Sequence, residues 1–249
     1  MKPKTLFALD FDGVICNSAV ETAITGWKAA QSIWADMNQQ AITDKHIEKF
    51  SSVRPCLEFG YEAILIMRLL QRGKTLSEEW DNYHQELEFL ISENNLNIDN
   101  LKELFGKTRD REIAENKSGW IASNPLSEGI AEKLKELDQE DWVIVTTKQE
   151  RFVSHILQGN GLKLDEDRIF GLDRKLSKQD VLKNLKSKNP NRPITFIEDR
   201  LPTLVGVQQN PDLQEIKLQL VDWGFNTEAE RKIAKERGIE IIKKEHFLR

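Results

Sequence analysis

One short apolar run near the N-terminus is followed by about a hundred residues without another strand-like segment, and that gap most restricts the fold. Residues 5–10 read Thr-Leu-Phe-Ala-Leu-Asp, a continuous apolar run of the kind that forms a strand buried on both faces. From Ser18 to about Ile121 the pattern turns helical. Residues 21–38 carry Ile24, Trp27, Ala30, Ile33 and Trp34 at three- and four-residue spacing. Residues 57–70 continue it after the breaker Arg54-Pro55. Residues 77–91 open with Ser77 as an N-cap and acidic Glu78 and Glu79 in the first turn. Residues 97–116 form a further helical segment. After Ser123-Asn124-Pro125 the pattern alternates. Helices are expected at 127–138, 150–158, 178–187 and 227–237, with apolar runs at 142–146, 168–170, 194–197, 216–221 and 239–242. Alternation of this kind means a parallel sheet covered on both faces. The expected architecture is an α/β, doubly wound core of residues 1–17 and 122–249. An all-helical insertion of residues 18–121 is large enough to be a small domain of its own.

In open parallel sheets, functional groups gather beyond the carboxyl ends of the strands. Three of these runs end in reactive side chains. The first ends in Asp10, with Asp12 two residues on; the second ends in Thr146-Thr147-Lys148; the third ends in Glu198-Asp199-Arg200. Side chains alternate faces along an extended chain, so Asp10 and Asp12 can point one way while Phe11 packs the other. Gly13 lets the backbone come close to a ligand. Two carboxylates so near one another repel unless a cation lies between them or one keeps a proton. Oxygen ligands of this kind suit Mg2+. An isolated Asp-x-Asp-Gly would serve equally as a turn with two solvated aspartates. After a buried-strand pattern, and matched by two other strand ends, it reads as a site.

Taken together these residues carry a resemblance. Asp10-Phe11-Asp12-Gly13 resembles the first motif of the haloacid dehalogenase superfamily in its phosphatase branch. Thr146, after an apolar strand, resembles the second, and Glu198-Asp199 resembles the fourth. The resemblance implies a Rossmann-like core with a helical cap domain inserted between the first two motifs. It also implies a lysine before the acidic pair, for which Lys175, Lys178 and Lys183 are candidates. Ser177 and Asp180 have the spacing of a helix capping box, which puts Lys178 in a first helical turn, where the helix dipole disfavours a cation. That placement makes sense if Lys178 faces an anion at the strand ends, so Lys178 is preferred and Lys175 is the fallback.

The chemistry that the resemblance implies is phosphoryl transfer through an aspartyl-phosphate. Asp10 is the nucleophile and Asp12 the acid and then the base. Mg2+ is held by Asp10, the backbone carbonyl of Asp12, and Asp199, with Glu198 either joining or orienting that shell. Thr146 and Lys178 hold the transferring group, and Thr147 adds a backbone N–H. Lys148 is expected to be a solvated residue at the start of a helix. Displacement of a halide needs no acid at the position of Asp12, so Asp12 favours phosphate esters. Residues 222–227, Asp-Trp-Gly-Phe-Asn-Thr, read in two ways: as a strand end with Asn226 or Thr227 capping a helix, or as a similarity to phosphoglycolate phosphatases. Substrate choice falls to the cap. There Arg54 could hold a distal anion or be an exposed arginine before a helix, and Glu58 and Glu62 lie one turn apart. Trp27, Trp34, Trp80 and Trp120 read as aromatics of the helical core, and His46, His84, His155 and His246 share no spacing.

The expected substrate is a small phosphorylated metabolite. A net charge of −5 argues against non-specific nucleic-acid binding, which needs a basic face. Residues 63–70, an apolar stretch interrupted by Arg68, are too few to span a bilayer, and the aspartates break the leader-like N-terminal run. Cys16 and Cys56 match no metal-ligand spacing and read as reduced thiols of a cytoplasmic protein. A phosphosugar mutase of the same superfamily, and a phosphate-binding or scaffolding module that does no chemistry, are the competing functions.

Overall fold

A computed structural model describes residues 3–76 and 82–249. By its internal contacts the chain forms two compact units, Met1–Asn17 with Pro125–Arg249, and Ser18–Asn124.

The first unit is the α/β one. Strand β1 is Leu6–Leu9, and the strands that follow in this unit are β2 (Trp142–Val145), β3 (Ile169–Phe170), β4 (Ile194–Glu198), β5 (Lys217–Val221) and β6 (Glu240–Ile242). They form one sheet in the order β3-β2-β1-β4-β5-β6, and every neighbouring pair is parallel. Strand β1 lies near the middle, pairing Phe7 with Trp142 on one side and with Thr195 on the other. Its run is apolar without alternation because both faces are covered. Leu6, Ala8, Val143, Val145, Ile194 and Phe196 share one buried cluster. Full burial of a side chain such as Phe196 contributes roughly 1.5–3 kcal/mol.

From β1 the chain builds outward to β2 and β3, then returns to place β4 against the other side of β1. The switch point of the sheet therefore lies between β1 and β4, where a crevice opens beyond the strand ends.

In chain order the helices of the second unit are α1 (Ala19–Ile33), α2 (Asp44–Val53), α3 (Glu62–Gln71), α4 (Tyr83–Glu93) and α5 (Ile98–Ala122). Helices α6 (Ile130–Glu136), α7 (Glu150–Gly159), α8 (Lys178–Lys188), α9 (Leu201–Gln209), α10 (Glu228–Glu236) and α11 (Lys244–Phe247) belong to the α/β unit. None of the described helices is long and apolar enough to cross a membrane.

The helical unit departs from the sequence expectations at several boundaries. Helix α2 was not expected; its first turn is organised by His46, whose Nδ1 accepts the Thr43 N–H at 3.3 Å. Residues 57–61 are not helical. The Glu62 carboxylate accepts the backbone N–H groups of Glu58 and Phe59 at 2.7 and 3.0 Å, along with the Tyr83 hydroxyl at 2.7 Å, and so pins the chain just ahead of α3. Glu62 is thus a buried structural group. The segment expected over 97–116 ends at a kink, where Asn116 leaves helical geometry (φ −154°, ψ 78°). Its Oδ1 accepts the Gly119 N–H at 2.9 Å, so Asn116 acts as a cap for the turn that follows. The Ser77 cap and Trp80 lie outside the described residues. Trp27, Trp34 and Trp120 are buried.

Candidate active site

Each strand end at the switch point contributes groups by local logic. Asp10 follows β1 directly and continues the ladder, its N–H donating to the Ile197 carbonyl at 2.9 Å. The chain then folds back: the Phe11 carbonyl accepts the N–H groups of Ile15 and Cys16, and the Gly13 N–H donates to Cys16. Gly13 sits at φ +89°, and a Cβ there would lie 1.9 Å from Asp199 Oδ2. The position needs glycine for both its dihedral and its space. Phe11 is fully buried, while Asp12 is partly exposed.

Lys178 begins α8. The capping box forms, with Ser177 Oγ accepting the Asp180 N–H at 3.1 Å. The Lys178 Nζ donates to Asp10 Oδ1 at 2.7 Å and to Glu198 Oε1 at 3.0 Å. Those two carboxylates offset the unfavourable end of the helix dipole. Burial by itself would lower the Lys178 pKa; Asp10 and Glu198 outweigh it and hold the ammonium well above its ordinary value. Lys175 is exposed, and Lys183 pairs with Asp212 at 2.8 Å on the surface.

Lys148 corrects the sequence expectation. It is 3% exposed, and its Nζ donates to Asp12 Oδ1 at 2.7 Å. Its N–H donates to Thr146 Oγ1 at 3.1 Å. The signal was present: Thr146 and Lys148 have the same two-residue spacing beyond β2 that Asp10 and Asp12 have beyond β1. Thr146 is buried and Thr147 is exposed. Arg54, in the helical unit, is buried and not exposed, and its Nη1 donates to the Leu57 carbonyl at 3.4 Å.

Asp10, Glu198 and Asp199 are each at least nine-tenths buried, and each offers a carboxylate oxygen within 4.8 Å of the other two. Asp12 adds a fourth carboxylate, and the ammonium groups of Lys148 and Lys178 bond into the set. Burial first, and then the charge of Glu198, pushes the Asp10 pKa up to about 8. A divalent cation would cancel the excess, and hard carboxylate oxygens are the ligands that Mg2+ prefers. The residues present therefore fit such an ion.

The loop between β5 and α10 supplies what the sequence reading missed. Its Phe225 N–H donates to Asp199 Oδ2 at 2.7 Å, and Asn226 Nδ2 donates to the Asp199 carbonyl at 2.9 Å. Thr227 caps α10 in a box with Glu230. A Cβ on Gly224 would lie 2.3 Å from the Asp199 Cβ, so the loop can press against Asp199 only with glycine there. Nothing in Trp-Gly-Phe-Asn announces this contact, because a cap-forming loop reads the same whatever it leans on.

No protein-family model matches the chain, and no curated protein does. Solved structures do. A predicted phosphatase from Clostridium acetobutylicum superposes with a TM-score of 0.57 at 20% identity, over 97% of this chain and 94% of that one. A predicted phosphoglycolate phosphatase from Haemophilus somnus gives 0.55 at 16% identity, over 98% and 95%. A haloacid dehalogenase-like family hydrolase from Streptococcus pneumoniae gives 0.54 at 15% identity, again over 98% and 95%. At such identities the likeness is one of fold, and the chain has the fold of the haloacid dehalogenase-like hydrolases over nearly its whole length.

Proposed function

We propose that the protein is an Mg2+-dependent phosphatase that hydrolyses a small phosphorylated metabolite through an aspartyl-phosphate on Asp10. One observation carries this reading: a buried carboxylate, Asp10, stands at the sheet's switch point bonded to Lys178, in a cluster whose excess negative charge calls for a divalent ion.

In the first step an Asp10 carboxylate oxygen attacks phosphorus as the bond to the leaving oxygen breaks, and Asp12 gives that oxygen a proton. In the second, Asp12 takes a proton from water, whose oxygen attacks the same phosphorus and releases inorganic phosphate, restoring Asp10. Mg2+ on Asp10, Asp199 and the Asp12 carbonyl, with Glu198 beside them, would supply charge neutralisation for the phosphoryl oxygens. Lys178 and the Thr146 hydroxyl stabilise the transferring group, with the Thr147 N–H as a further donor. Lys148 keeps the Asp12 side chain over the reacting centre. On this reading residues 18–121 are the cap that selects the leaving group, with Arg54 as its candidate anion-binding residue.

Phosphate release from a broad panel of phosphorylated metabolites with Mg2+ tests the proposal. Asp10→Asn should lower turnover on any hit by at least ~10⁴-fold while the fold is retained. Appreciable phosphate release by that variant would refute the nucleophile. Conversion of a hit to an isomer without phosphate release would identify a mutase.

A further inference from the structure

The polar contacts of Asn226 exceed what a loop residue needs. It is 7% exposed, and both ends of its side-chain amide are bonded. Nδ2 donates to the carbonyls of Asp199 and Val221, both at 2.9 Å, and so ties the end of β4 to the end of β5. Oδ1 accepts from Arg231 Nη1 at 2.8 Å, and the same guanidinium nitrogen donates to the Asn226 carbonyl at 3.0 Å. An amide has two donors on nitrogen and two lone pairs on oxygen, so only this orientation meets two carbonyls at one end and a guanidinium at the other. Arg231 therefore orients Asn226, and Asn226 fixes the backbone of Asp199. The neighbouring Phe225 N–H fixes the Asp199 carboxylate at 2.7 Å, and Gly224 and Gly13 close on it with no room for a side chain.

We infer that Asn226, oriented by Arg231, is a positioning residue for the divalent cation: it holds Asp199 where that ion is bound. The inference rests on the metal-assisted reading above. Asn226 touches none of the reacting groups; it acts through Asp199. Groups that orient a metal ligand typically change metal affinity 10–100-fold when altered. Asparagine is required chemically as well as sterically. An aspartate there has the same shape, but it would set a carboxylate oxygen 2.9 Å from two carbonyl oxygens.

The test is calorimetric titration of Mg2+ into the full chain without substrate, for wild type, N226D, R231Q and D199N. N226D should bind Mg2+ about 10–100-fold more weakly. R231Q should be weakened in the same direction by less, and it should keep the metal-free melting temperature of wild type within a few degrees. The kcat of N226D should recover toward wild type at saturating Mg2+, which a merely damaged fold would not do. Should N226D fail to fold, R231Q decides: weakened Mg2+ binding by the folded variant supports the inference, and wild-type binding overturns it. Wild-type affinity in N226D and R231Q, with D199N weakened, overturns the positioning role and leaves the metal site standing. Wild-type affinity in D199N removes the metal site and this inference with it.

Discussion

Each of the two units buries a charge cluster, and the clusters are built from the same residue types to opposite ends. In the helical unit, Glu21 receives Arg109 through two bonds of 2.7 Å, and Lys28 pairs with Glu112 at 2.7 Å. The Thr25 hydroxyl lies between the two carboxylates, 2.8 Å from Glu21 and 2.6 Å from Glu112. Each acid there has its base. In the α/β unit, Asp10 and Glu198 share the single ammonium of Lys178, Asp12 bonds Lys148, and Asp199 lies in the same group of carboxylates. In a balanced cluster each charge has an opposite one to offset its desolvation, whereas an unbalanced one costs stability until a ligand completes it. The first is a structural arrangement, and the second has the character of a site.

The contrast can be broken by experiment. Its largest expected effect is in the balanced cluster. Glu21→Ala leaves Arg109 buried without its bidentate partner and should cost about 3–5 kcal/mol in denaturant unfolding; a loss under about 1 kcal/mol would remove the distinction. Next is Lys148→Ala, which removes the Lys148–Asp12 bond and should lower kcat about 10²-fold on any substrate found, with KM changed less. An unaltered kcat would return Lys148 to a packing role.

The third effect has the opposite sign to the first. The folded-state pKa of Asp10, about 8, lies above its ordinary value of 3.8, so the native state favours the neutral acid. In chelator, that contribution is complete below the ordinary value and is lost as pH rises through about 8. Metal-free wild type should therefore lose stability across that window, and Asp10→Asn should not. At pH 8 the variant should melt higher, by ~2–4 °C for each kcal/mol recovered. An Asp10→Asn protein less stable than wild type in chelator would show that the cluster is balanced after all. The smallest effect concerns His46, whose pKa is lowered by burial and then by Lys49 and Lys45. A depressed histidine contributes stability above its ordinary value of 6.5, lost as pH falls through the lower folded value. Its Nδ1 lone pair, which accepts the Thr43 N–H, is then taken by a proton. His46→Asn should flatten a shallow loss of melting temperature between about pH 7 and pH 5.

Much of the α/β unit was legible because its signals are local. A run such as Ile194–Glu198 is recognisable by its own residues, and so is the polar group that ends it. Lys178 could be preferred over Lys175 because the Ser177–Asp180 box lies within four residues. Helix α2 was not legible: its residues, Asp-Lys-His-Ile-Glu-Lys-Phe-Ser-Ser-Val, are mostly polar, and only Phe50 and Val53 are buried. Lys148 was misjudged because a lysine after a strand is usually solvated, and the partner that buries it, Asp12, is 136 positions away. The role of Asn226 was hidden for the same reason, since its amide reads the carbonyl of Asp199, 27 residues back.

By itself the sequence determined which strands this chain can form and which side chain stands at the end of each. Burial on both faces leaves a mark in the central strands β1, β2 and β4, and a carboxylate or threonine interrupts it visibly. Only the tertiary structure decided that β1 pairs with β4 on one side and β2 on the other, which puts Asp10 beside Glu198 and Asp12 beside Lys148. The physical reason is that strand order depends on which apolar faces are left to cover once the whole chain has collapsed. The excess charge that marks the site exists only when those distant carboxylates are buried together.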